Sequence, residues 1–230
     1  PNIVRVTNLV ATAQHAGLVM DLVEGPTLAA FLEEQGAQPP DAARQILRPL
    51  LDTVGFLHAN GVVHRDLKPE NVLLGPGLSP MILDFGIAKQ QRAGGLQKTR
   101  TGTAMGTPGY MAPEQFTNAK LADERTDIYA LGLILHELLS GQARFDGESL
   151  YSVMTAVVEG RGAPLPDTVP GHLREVIALA CAVDPSARFA NSKAFSSALA
   201  RVTPVAAPVQ RPPAAEPAAE PAAEPAAEPA

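Results

Sequence analysis

His64-Arg65-Asp66-Leu67-Lys68-Pro69-Glu70-Asn71 sets five chemically different polar groups within eight residues and runs straight into the apolar Val72-Leu73-Leu74. That density is foreign to a core segment. An Asp can take a proton from a hydroxyl, a Lys two residues on can steady a phosphoryl group in transfer, and an Asn five residues on can hold a hard cation through its amide oxygen. Met81-Ile82-Leu83-Asp84-Phe85-Gly86 follows, a short buried-strand pattern that ends in a carboxylate and a glycine. Two oxygen ligands at the ends of adjacent strands suit Mg²⁺.

Working outward, Gly106-Thr107-Pro108-Gly109-Tyr110-Met111-Ala112-Pro113-Glu114, Asp127-Ile128-Tyr129-Ala130-Leu131-Gly132 and Asp184-Pro185-Ser186-Ala187-Arg188-Phe189 come in that order. Together with the two stretches above, the set resembles the catalytic domain of eukaryotic-type (Hanks-type) Ser/Thr protein kinases, and Gln115 after Pro113-Glu114 gives it a bacterial-like cast. The resemblance implies an α+β, protein kinase-like fold: mainly the helical C-terminal lobe, with the last two strands and the hinge of the N-terminal lobe. It divides the chain into a partial kinase domain over 1–202 and a linker over 203–230. Within the domain, 1–20 is the remnant of the N-terminal lobe, 21–25 the hinge and 26–202 the C-terminal lobe.

The resemblance also assigns roles. Asp66 orients the acceptor hydroxyl and takes its proton, Lys68 stabilises the transferring γ-phosphoryl group of ATP, and Asn71 and Asp84 hold Mg²⁺. Thr107 would bridge Asp66 and Lys68. Met20 is the implied gatekeeper, Asp21, Leu22 and Val23 run along the adenine edge, and Leu73 forms the floor under the base. His64 would pack behind Phe85 as a structural spine, since no second His or Cys lies at metal-ligand spacing. Arg65 marks the class in which a phosphorylated activation segment neutralises the arginine beside the catalytic aspartate. Thr99, Thr101 and Thr103 are the candidate phosphoacceptors; a phosphate on one of them adds about −1.5 to −2 charge and would order the segment against Arg65. Glu114 and Arg188 are implied as a buried structural ion pair, and Asp127 as support for the catalytic-loop backbone rather than a chemical group.

These features imply transfer of the ATP γ-phosphoryl group to protein Ser or Thr hydroxyls. Lys68 with Thr107 resembles the Ser/Thr class rather than the tyrosine class. The stretch Gly106 to Glu114 resembles the peptide-holding platform that small-molecule phosphotransferases lack. The alternative is a pseudokinase or binding scaffold, whose usual sign is decay at the positions held here by intact Asp66, Asn71 and Asp84. The chain opens on Pro1-Asn2-Ile3-Val4-Arg5-Val6, and the glycine-rich loop, strand lysine and helix glutamate of a complete kinase would precede that point. The start therefore reads as cut, and these residues by themselves are expected to be nearly inactive.

The remaining signals narrow the class. Formal net charge is −6 over 230 residues, and half of it falls after Val202, so the body is nearly balanced and nucleic acid is not the expected partner. The single cysteine, Cys181, excludes an internal disulfide, fits a reducing compartment, and lies in an apolar pattern that favours packing over reactivity. The run Ile128 to Leu135 stops at His136-Glu137, short of the roughly 20 residues that span a bilayer, so a soluble, cytoplasmic chain is expected. From Pro204 Pro, Ala and Glu dominate, with Pro-Ala-Ala-Glu repeating from Pro213; that composition cannot bury a core and reads as an extended, disordered linker, of the kind that joins bacterial receptor kinases to a membrane helix or sensor domain.

Periodicity supplies the rest. Strands are expected over Asn2 to Leu9 and Ala16 to Leu22, and a short helix over Leu28 to Gln35 between Thr27 and Gly36. A longer helix runs from Pro39-Pro40-Asp41 to Asn60-Gly61. Pro49 inside it costs about 3 kcal/mol, which calls for a kink or a later start. Asp127 to Leu139 is apolar nearly all round and belongs at the centre of a helical lobe, with Gly141 closing it; amphipathic stretches follow at Leu150 to Val158, Leu173 to Ala182 and Ala194 to Val202.

Overall fold

The computed structural model describes residues 2–11, 16–83, 108–117 and 122–201. The readings placed on Asp84, Phe85, Thr99, Thr101, Thr103 and Thr107, and on the linker from 203, lie outside them.

The chain begins as a hairpin of β1 (Val6–Ala11) and β2 (Ala16–Met20), antiparallel, with the register shifting between Val6 and Asn8. The first strand is not the single Asn2 to Leu9 segment that alternation predicts. Ile3 bridges to Ile82, Val4 N–H donates to the Ile82 carbonyl and Ile82 N–H to the Asn2 carbonyl, so residues 2–4 belong to a different sheet from β1. Val4 is buried there while every residue of β1 is exposed, and burial of one residue sets the break that a two-residue period alone cannot place. The second strand ends at Met20, two residues before the expected Leu22, which stands 88% exposed.

Thr27 caps α1 (Leu28–Gln35) through its side-chain oxygen, which accepts the Ala30 N–H, and Gly36 closes it. Then α2 (Pro40–Ala59) continues through Pro49 and starts where the Pro-Pro-Asp signal put it, which removes the later-start option. The residue robbed of its helical partner by Pro49 is Gln45, which is exposed, so water can serve its carbonyl; the buried Thr53 hydroxyl donates to the Pro49 carbonyl at 2.8 Å.

The loop 60–71 leads through a 3₁₀ turn at Pro69–Asn71 into β3 (Val72–Gly75), which pairs antiparallel with β4 (Ser79–Ile82). Beyond the activation-segment region come α3 (Pro113–Thr117), α4 (Glu124–Ser140), α5 (Leu150–Val158), α6 (Gly171–Ala180) and α7 (Ser192–Leu199). The Asp123 side chain accepts the Arg125 N–H at 2.8 Å, so α4 starts earlier than the apolar run suggests and Asp127 falls in its first turn.

The core is built around α4, whose Ile128, Leu131, Ile134, Leu135 and Leu138 are fully buried, with α2 packed on one side and α6 on another. At Gly132 a Cβ would stand 2.7 Å from both the Ala180 Cβ and the Cys181 Sγ, so the close approach of α4 and α6 demands glycine. Cys181 is buried as expected, and burial pushes its thiol up to about 12, away from thiolate chemistry. Among the described residues no helix is long and apolar enough to cross a membrane.

Candidate active site

Three donors converge on Asp127, a residue with no exposed surface. Its Oδ1 accepts the Arg65 N–H at 2.8 Å, and its Oδ2 accepts the His64 N–H at 2.8 Å and bonds His58 Nε2 at 2.8 Å. Arg65 has φ +65, a conformation costly for a residue with a Cβ, and these backbone bonds hold it there. The first turn of a helix favours the carboxylate that does so.

The turn at Arg65 aims the next residues back on themselves. Asp66 N–H donates to His64 Nδ1 at 3.3 Å, so that nitrogen accepts, and Nε2 carries the proton it shares with the Leu83 carbonyl at 3.2 Å. His64 is thereby tied to the residue preceding Asp84; the part expected of Phe85 lies outside the described residues. Asn71 Nδ2 donates to the Asp66 carbonyl at 2.8 Å and to Asp66 Oδ2 at 3.3 Å. With its amide nitrogen committed to Asp66, Asn71 keeps Oδ1 as the atom that suits a hard cation. Leu67, 1% exposed, anchors the loop in the core between the half-buried Asp66 and Lys68.

Just before α1, Gly25 has φ +148, and a Cβ there would lie 1.9 Å from the Leu74 carbonyl oxygen. Only glycine lets the segment after Met20 close on β3. Leu74 N–H then donates to the Pro26 carbonyl at 2.9 Å, and Thr27 bridges Leu73. Leu73 is half-buried beside this segment, and so is Val23, whereas Asp21 and Leu22 are exposed. The Asp21 N–H is committed to the Arg5 carbonyl at 3.0 Å, and its carboxylate to the Arg5 guanidinium. Met20 closes β2, 37% exposed.

The platform is tied to the same loop. Gln115 Nε2 donates to the Arg65 carbonyl at 3.1 Å while its Oε1 accepts the Ala112 N–H at 2.8 Å. Glu114 and Arg188 form two parallel bonds of 2.8 Å, and Glu114 Oε1 also accepts the Thr126 hydroxyl at 3.0 Å. Arg188 further donates to the carbonyls of Ala182, Val183 and Arg125 and stacks over the Tyr129 ring at 4.7 Å. Burial raises the Glu114 pKa, but the hydrogen bonds and the charge of Arg188 outweigh it and hold the carboxyl below its ordinary value. The Tyr110 hydroxyl donates to Glu137; burial pushes both groups up, and the bond from Tyr110 pulls Glu137 partly back.

Sequence reasoning named the Asp127 support and the Glu114–Arg188 pair. It missed His58 and the bridging part of Gln115. The signal for His58 was its place near the end of an amphipathic helix, on the buried face with Leu57 and Val54. Arg65 NH2 donates to the Ala122 carbonyl at 3.3 Å, and its Nε is buried with no hydrogen-bond partner among the described residues.

The sequence matches the family described as protein kinase domain over residues 1–199. Similar proteins include the serine/threonine-protein kinase PknL of Mycobacterium tuberculosis, 37% identical over 189 residues that make up 81% of this chain and 47% of that protein. PkaA of Streptomyces coelicolor is 42% identical over 180 residues, 77% of this chain and 32% of that protein. PknD of Mycobacterium tuberculosis is 39% identical over 174 residues, 74% of this chain and 26% of that protein. The chain thus spans about half the length, or less, of these curated relatives. With the clamped loop, the bridged platform and this match across nearly all of the described residues, the chain belongs to the protein kinase family, on its bacterial serine/threonine side.

Proposed function

We propose that this chain is the greater part of a kinase catalytic domain that transfers the γ-phosphoryl group of ATP in line to a Ser or Thr hydroxyl of a protein substrate. The observation that carries this reading is the Asp127 clamp. It fixes Arg65 in a turn that sets Asp66 beside Asn71, the one-carboxylate, one-amide pairing that the reaction uses. Asp66 orients the acceptor hydroxyl and takes its proton, and Lys68 steadies the transferring oxygens, with Thr107 bridging the two. Asn71, through Oδ1, and Asp84 would hold Mg²⁺. When bound, the cation would offset charge on the phosphate oxygens.

The adenine would lie over Leu73 with Met20 as gatekeeper. The Asp21 N–H is already used within the hairpin, so its carbonyl faces the task of meeting the base edge, with the Val23 N–H as partner group and Leu22 between them. A phosphate on Thr99, Thr101 or Thr103 would meet the Arg65 guanidinium, whose buried Nε favours an anionic partner. In this reading the phosphate-positioning groups of a complete kinase are not supplied by the described residues, so these 230 residues alone transfer little. A cytoplasmic setting, and a membrane helix or sensor domain beyond a linker over 203–230, complete the reading.

The test is Mg²⁺-ATP phosphotransfer to a generic basic protein, run on this chain and on a version extended upstream in its gene. Transfer by the extended version that disappears in its Asp66→Asn variant, with nucleotide binding retained, is the expected result. Inactivity of the extended version moves the reading to a scaffold, and activity surviving Asp66→Asn removes that residue from its role.

A further inference from the structure

The planar unit that joins Arg65 to Asp66 is held at both edges. Its carbonyl, on Arg65, accepts a hydrogen bond from Gln115 Nε2 at 3.1 Å, and its N–H, on Asp66, donates to His64 Nδ1 at 3.3 Å. The two groups share one peptide plane, so partners on opposite edges fix the rotation of that plane, which is Arg65 ψ and Asp66 φ together. The unit needs the hold, because Arg65 stands at φ +65, where a residue with a Cβ is strained. The next unit is held as well, by the bond of 2.8 Å from Asn71 Nδ2 to the Asp66 carbonyl. The Asp66 Cα thus lies between two anchored planes, and the direction of its carboxylate follows from them.

Gln115 reaches this turn from 50 residues away. Its amide has one workable orientation, since Nε2 must face a carbonyl and Oε1 the Ala112 N–H, 2.8 Å away. The Oε1 bond is what a capping side chain at the start of a helix makes; the reach of Nε2 across to another segment is the part that capping does not explain. We propose that Gln115 is a positioning residue, which orients the Asp66 carboxylate through the Arg65–Asp66 peptide and couples that orientation to the platform at Ala112. The proposal rests on the reading of Asp66 as the base and of Gly106 to Glu114 as the peptide-holding platform. A glutamate in its place would keep the bond from Ala112 but turn an oxygen toward the Arg65 carbonyl, and a methionine would make neither bond.

The experiment uses Gln115→Glu and Gln115→Met, both close to glutamine in shape and at a half-buried position, with two readouts. In the 230-residue chain, amide hydrogen exchange is followed residue by residue. Release of the Arg65 carbonyl lets the plane turn and takes the Asp66 N–H off His64, so the Asp66 amide is expected to exchange about tenfold faster or more in both variants. The Arg65 amide, held by Asp127 Oδ1 at 2.8 Å, keeps its rate, a split that general loosening does not give. In the upstream-extended version, the single-turnover phosphotransfer rate is expected to fall about tenfold or more in Gln115→Glu, with KM for ATP unchanged and KM for the protein substrate within about twofold. A merely structural seat would raise KM for the protein substrate and spare the rate. An extended wild type without activity overturns the proposed function and leaves the amide split to decide the positioning. The proposal is overturned by Asp66 and Arg65 amides that stay as they were or accelerate alike, or by variants of an active extended version that keep the wild-type rate.

Discussion

The hairpin at the start of the chain and the helix α4 are both rich in apolar residues, and the structure treats them in opposite ways. In the hairpin Val6, Leu9, Val10, Leu18 and Val19 are between 44% and 64% exposed. In α4 Ile128, Leu131, Ile134, Leu135 and Leu138 are at zero. A two-stranded hairpin has no third layer to bury its faces against, whereas α4 is wrapped by α2 and α6. The hairpin stays with the body through residues 2–4, which bridge and hydrogen-bond to Ile82. Identical side-chain chemistry therefore contributes to stability in one region and almost nothing in the other.

Breaking the buried side has the largest effect. Asp127→Ala strips three donors of one acceptor, two of them on the candidate catalytic loop, and is expected to cost about 3 kcal/mol or more in urea unfolding. A cost below about 1 kcal/mol would mean that the loop is held by something else. Leu131→Ala in α4 is expected to cost about 3 kcal/mol by opening a cavity at a site with no exposure.

The Glu114–Arg188 pair sharpens the contrast through pH. Its folded pKa lies below the ordinary 4.5, so its stabilisation is fully present above 4.5 and is lost as the pH falls through the folded value. Glu137, raised by burial, works in the other direction, so the informative quantity is the difference between wild type and Glu114→Gln. That difference should be largest at neutral pH and shrink on acidification below 4.5; a constant difference would remove the ion pair from the account.

The smallest effect belongs to the hairpin. Leu18→Ala is expected to stay within about 0.5 kcal/mol in this chain, and backbone amides of β1 and β2 should exchange with solvent far sooner than those of α4. A cost above about 1 kcal/mol would show that Leu18 packs against something in solution. The same substitution in an upstream-extended version should cost more if added chain covers these faces.

The helices were legible because local signals and burial agree. Thr27 and Gly36 bracket α1, Leu150 to Val158 coincides with α5, and Gly141 closes α4 as read. The hairpin was legible only in part, since apolar and polar residues alternate alike whether residues 2–4 pair with β4 or continue into β1. Hydrogen bonds to Ile82, 78 residues and more away, made the choice.

For the candidate site, side-chain chemistry at fixed offsets, a local property, pointed to Asp66, Lys68 and Asn71, and the resemblance that the order of the motifs carried supplied the family and the Glu114–Arg188 pair. Only the tertiary structure decided that Arg65 takes a positive φ, that Gln115 ties the platform to the loop, and that His58 joins Asp127 with one nitrogen while the other is left facing Glu124. The last two are pairings between residues far apart in the chain, and the first is held by one, the bond from the Arg65 N–H to Asp127. Which distant donor meets which acceptor is settled by how helices pack, and no periodicity carries that information.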